Sequence, residues 1–95
     1  MLNFPARVTH DQALQTAQLL QSQLSLVTDR VVLDASALTQ FDSSALAVML
    51  ACRRSAMAAG KAFVVQGLPP KLHQLAGLYG VAGLLTTDQV VGGLA

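Results

Sequence analysis

The sequence predicts an α/β domain in which about three helices cover a small mixed β-sheet. Three observations carry this. Val31-Val32-Leu33 and Ala62-Phe63-Val64-Val65-Gln66 are short apolar, β-branched runs with polar or Gly punctuation, the signature of buried strands. Between them, from Ser43 or Ser44 to about Ala59, lies a stretch free of Gly and Pro that reads as helix and ends at Gly60, a residue suited to the left-handed C-cap. Finally, 95 residues are enough for one hydrophobic core and not for two, so residues 1–95 form a single domain. A strand–helix–strand crossover of this kind is expected to be right-handed.

The remaining elements follow in order. Leu2 to Thr9 reads as a short strand or edge segment weakened by Pro5. Thr9-His10-Asp11-Gln12 has capping-box spacing, and Ala13, Ala17, Leu20 and Leu24 then recur at helical intervals among glutamines, giving an amphipathic helix. Ala35 to Phe41 reads as a connecting loop. Gly67 turns the chain out of the second strand. Pro69-Pro70 fits the first turn of a third helix, where a missing N–H is harmless. Leu72, Leu75, Ala76 and Tyr79 share one face of that helix, and Gly80 closes it. Leu84-Leu85-Thr86 is expected to form a last short strand before a Gly- and Val-rich tail.

Composition narrows the function. Apolar residues make up 53% and charged residues 12%, and the formal net charge is +1, so neither a disordered chain nor a nucleic-acid binder fits. Arg53-Arg54 is an isolated pair with no basic stripe around it. Mean hydropathy is +0.50, high for a soluble domain. Yet the longest apolar run, Ala45 to Cys52, is far short of the roughly 20 residues that span a bilayer. Arg7 interrupts any signal-peptide core, and the single Cys52 fits a reducing compartment. A cytoplasmic protein with surface buried against a partner is the expectation, with no direct membrane insertion.

The central helix supports that expectation. Leu46, Met49, Leu50, Arg53 and Met57 share one side, with Ala45, Cys52 and Ala56 beside them. The opposite side carries Ser44, Ala47, Val48, Ala51, Arg54, Ser55 and Ala58, where a surface helix would show Lys, Glu or Gln. A helix apolar all round is normally buried all round. Ala47, Val48, Ala51, Arg54 and Ser55 are therefore the expected partner-binding residues, and a second copy of the chain is one possible occupant.

Asp42, Ser43 and Ser44 precede this helix, and each is a preferred N-cap residue. A phosphate on Ser43 would also be favoured there by the helix dipole, adding about −1.5 to −2 charges beside the docking face. A nucleophilic role for Ser43 needs a base, and neither His10 nor His73 stands in a nucleophile-elbow context. No Gly-rich phosphate loop and no His or Cys cluster is present, so no enzyme activity, cofactor or metal is expected.

Val31-Val32-Leu33-Asp34-Ala35-Ser36, Phe41-Asp42-Ser43-Ser44-Ala45-Leu46 and Gly60-Lys61 with a strand leading to Gly67-Leu68-Pro69 together resemble the STAS domain, from about Val31 to Leu85. The family includes anti-sigma factor antagonists and the cytoplasmic tails of anion transporters. The ending Leu72 to Val81, with its Leu-Tyr-Gly-Val, looks most like the small STAS subunit of the Mla phospholipid ABC transporter. That resemblance implies a STAS-like fold and a cytoplasmic accessory subunit, peripheral to the inner membrane, that binds the transporter ATPase and through it the permease, in support of outer-membrane lipid asymmetry. It also implies that Ser43 is either a partner contact or the phospho-acceptor of an anti-sigma factor antagonist, whose partner is a serine kinase. Antagonists usually carry Gly where this chain has Ala45. The added methyl is expected to hinder an approaching kinase, which favours constitutive docking.

Overall fold

A computed structural model describes residues 2–86. The two predicted strands form its centre. β3 (Arg30–Asp34) and β5 (Ala62–Gln66) run parallel, with Val31 opposite Phe63 and Leu33 opposite Val65. Side chains alternate along a strand, so these four share one face, and all four are buried. β1 (Leu2–Asn3) pairs with the other edge of β3, giving the order β1-β3-β5. A second, two-stranded sheet joins β2 (Arg7–Val8) to β4 (Gln40–Phe41), again in parallel.

The α/β class stands, but the described pairings are all parallel where the sequence suggested a mixed sheet. The connections explain this. α1 (Ala13–Leu24) lies between β1 and β3, and α2 (Ser43–Ala58) between β3 and β5; crossovers of that length return the chain in the same direction. Leu2 to Thr9 divides into two strands at Phe4-Pro5-Ala6. Phe4 still donates its N–H to Asp34 O at 2.8 Å, after which Ala6 O accepts from Thr39 and Gln40, so the chain changes partners around the residue without an N–H. The predicted loop from Ala35 ends in β4, which is too short to leave a sequence signal.

α1 buries Leu20 and Leu24, with Ala13 and Ala17 packed beside them, as the spacing predicts; Thr16 is buried as well, which the spacing did not show. Its capping box is half formed. Gln12 Oε1 accepts from Thr9 N–H at 3.0 Å, but the Thr9 hydroxyl donates to the same oxygen at 2.7 Å instead of accepting from the helix, which begins only at Ala13. Lys61 Nζ donates to Leu24 O at 3.0 Å, tying the far end of α1 to the start of β5. At the end of α2, Gly60 N–H reaches Met57 O and Lys61 N–H reaches Ala56 O; the same pair of bonds ends α3 (Pro70–Leu78) at Gly80 and Val81.

Two expectations fail near the end of the described chain. Tyr79 is 58% exposed and does not join the buried Leu72 and Ala76. It is the C-cap residue of α3, outside the last helical turn. Leu84-Leu85-Thr86 is helical, not extended. It belongs to α4 (Ala82–Thr86), which packs on β5 and α3 and places Leu85 in the core. The described residues therefore carry four helices, one more than the sequence suggested. The Gly- and Val-rich tail lies outside the described residues. No helix among them is long and apolar enough to cross a membrane.

Candidate functional site

The predicted site residues gather at the start of α2 and along its outer side. Asp42 is the N-cap. Its Oδ1 accepts from Ser44 N–H at 2.8 Å, and its Oδ2 accepts from His10 N–H at 3.0 Å. One carboxylate thus satisfies a free donor of α2 and fastens the chain entering α1 to it. These two bonds, first that from Ser44 and then that from His10, hold the Asp42 carboxyl below the usual carboxylate range. Asp34, at the end of β3, is lowered in the same way by Ser36 N–H, with Asp34 Oδ1 at 2.9 Å.

Ser43 follows as the first helical residue and is exposed; Ser44 is half-buried. Ala45 is fully buried. The expectation that its methyl obstructs an approaching kinase is overturned, because that methyl points into the core. The structure brings His10 beside Asp42, but through its backbone; no hydrogen bond joins its imidazole to Ser43 among the described residues. His73 is exposed on α3. No three His, Cys, Asp or Glu side chains gather into a metal-binding group among the described residues. Burial pushes the Cys52 thiol up to about 11, which leaves it a poor nucleophile.

Along α2 the core side is rotated from the one the sequence suggested. Ala45, Leu46, Val48, Met49, Cys52 and Ala56 are buried. Val48, expected at the partner face, is 4% exposed and turned into the core, so it is removed from that face. Ser55 is half-buried, and its Oγ donates to Gln21 Oε1 at 2.9 Å, so α1 covers the flank of α2 that the sequence left without an explanation. Ala47 and Arg54 are exposed, and Ala51 is half-buried. Leu50, Arg53 and Met57, assigned to the core side in the sequence, are half-buried at its boundary. The error has a simple cause. With no polar stripe to mark solvent, the wheel of α2 does not fix its own rotation; its packing against α1 and β5 does.

The outer side of α2 is thus an arc of small apolar side chains with one arginine, beginning at two serines held by an N-cap aspartate. A family model described as Mlab, STAS domain, matches residues 2–87. No curated protein matches the chain.

Proposed function

The chain belongs to the STAS domain family, and on that premise we propose that it is a non-enzymatic accessory subunit of an inner-membrane phospholipid ABC transporter, binding the cytoplasmic ATPase through α2. STAS domains are generally small accessory or regulatory modules. The observation that carries the finer reading is the outer side of α2, where Ala47, Ala51 and Arg54 stand without a carboxylate anywhere on the helix. Small side chains let a partner helix approach closely, and a surface poor in charge is what the centre of a protein interface shows.

In this reading Asp42 fixes the helix start, while Ser43 and Ser44 meet the partner at its edge. Binding acts by differential affinity: burying Ala47, Ala51 and Arg54 favours the nucleotide-competent arrangement of the ATPase. The subunit stays cytoplasmic and reaches the membrane only through its partner. Ala47→Glu and Ala51→Glu place a buried, unpaired charge in the interface and are each expected to abolish co-purification with the ATPase while leaving the circular dichroism spectrum unchanged. If both variants bind at wild-type strength, the docking face is elsewhere.

The exposure of Ser43 favours one second reading, an anti-sigma factor antagonist switched by phosphorylation of that residue. It requires that a serine kinase modify Ser43 and that Ser43→Asp release the partner. Mass spectrometry of the chain purified from its host reads the first of these directly.

A further inference from the structure

We infer that the bare face of the β1-β3-β5 sheet is a contact between two copies of the chain, stacked so that Arg30 of each meets the partner's Asp34. The buried apolar side chains of α1, α2, α3 and α4 share one core with Val31, Leu33, Phe63 and Val65. The described helices therefore cover one face of the sheet. Val32 and Val64, which stand opposite each other and point the other way, do not belong to that core. Both are half-buried. All-parallel sheets occur almost only with both faces covered, so the valine face lacks a cover that sheets of its kind ordinarily have.

Charge identifies the occupant. On the strands of this sheet only Arg30 and Asp34 are charged, and both lie on the valine face, two places before and two places after Val32. They stand about 13 Å apart along β3. A half-turn about an axis parallel to the line joining Val32 and Val64 sets valine on valine and each Arg30 against the partner's Asp34. Ser36 N–H occupies Oδ1 of Asp34 at 2.9 Å, and a carboxylate has lone pairs left for a guanidinium. Asp29 and Lys61 precede the two strands, and Lys61 Nζ is held by Leu24 O at the end of α1. A uniformly acidic surface, an anionic bilayer among them, meets Asp34 with its own sign, and a basic surface does so at Arg30. The chain itself presents the matching pair in the matching order. α2 lies beyond the other face, so this contact leaves the docking surface open and is independent of the docking reading.

Three short strands offer less than the roughly 800 Å² per partner of a standard interface, so the association is expected to be weak. The test is sedimentation equilibrium of the full chain up to about 1 mM. The mass is expected to rise towards twice that of the monomer. Arg30→Asp and Asp34→Arg are each expected to weaken association at least roughly tenfold by setting like charges together. Mixed in equal amounts, the two variants are expected to regain it, because each supplies the sign that the other lacks. Val64→Glu, remote from the turn that Asp34 holds, is expected to stay monomeric with an unchanged circular dichroism spectrum. A wild-type chain that is monomeric throughout overturns the contact and leaves the face to another segment or another protein. Association that Ala47→Glu abolishes and Val64→Glu leaves intact puts the contact on α2 and overturns it too. A mixture that stays monomeric while the wild type associates removes the Arg30–Asp34 pairing, and the stacking with it.

Discussion

Asp42 carries more of the architecture than its exposure suggests, because its two oxygens serve two different helices. A Ser or Thr in its place could cap α2 but could not also receive His10 N–H. The linkage follows from the direction of its shift. A carboxyl held low in the folded state adds stability that is fully present above the unfolded value of about 4 and is lost as the pH falls through the folded value. Asp42→Asn keeps one acceptor and loses the charge. Urea midpoints of wild type and Asp42→Asn are therefore expected to differ at neutral pH and to converge on acidification. A gap that stays constant with pH would mean that the carboxylate charge contributes nothing. Asp42→Ala, which removes both acceptors, is expected to be the least stable of the three at neutral pH.

At the level of elements, the joints differ more than the sequence reveals. Gly60 and Gly67 both have positive φ, +74° and +71°, and both were legible as turn residues. Around Gly60 an added Cβ meets nothing within 4 Å, so Gly60→Ala carries only the backbone cost of about 1 kcal/mol. At Gly67 the same Cβ would stand 2.9 Å from Ser36 Cβ and 3.0 Å from Ser36 N, against the turn that Asp34 holds after β3. Gly67→Ala is expected to cost about 1–3 kcal/mol, more than Gly60→Ala in the same denaturation experiment. Equal costs would mean that the β3 turn yields without penalty. This contrast marks what was readable. β3, β5 and the two Gly-ended helices announce themselves through β-branched runs, Pro and Gly. β4 is two residues long, and Leu84-Leu85 is an apolar pair whose helical or extended state depends on what it packs against. The site divides in the same way. The cap at Asp42 is written in local sequence, whereas the inward turn of Val48 and the cover over Ser55 are set by α1, across the fold.

For the molecule as a whole, the high mean hydropathy splits into two populations. One is a single core to which every layer contributes, among them Phe4, Leu20, Leu33, Met49, Phe63, Leu72 and Leu85, all nearly inaccessible. The other is a set of leucines left outside, Leu14, Leu19, Leu26 and Leu78, which the domain does not need for its own stability. Leu85 and Leu26 separate the two populations cleanly. Leu85 is fully buried on a five-residue helix that could not stand alone, so it is held in place by packing on β5, α3 and α2. Leu85→Ala is expected to cost about 2–5 kcal/mol, a large part of the stability of so small a domain, whereas Leu26→Ala should stay within about 0.5 kcal/mol of wild type. Urea denaturation checks both, and the slope carries the further argument. If α4 belongs to the common core, Leu85→Ala lowers the midpoint while the dependence on denaturant is unchanged, because the same surface is still exposed in one transition. If α4 is only a loose cover, the global midpoint hardly moves and Leu85 has no claim to the core. The exposed leucines give the complementary expectation: each can become polar without loss of fold, so any selection that keeps them apolar acts through binding.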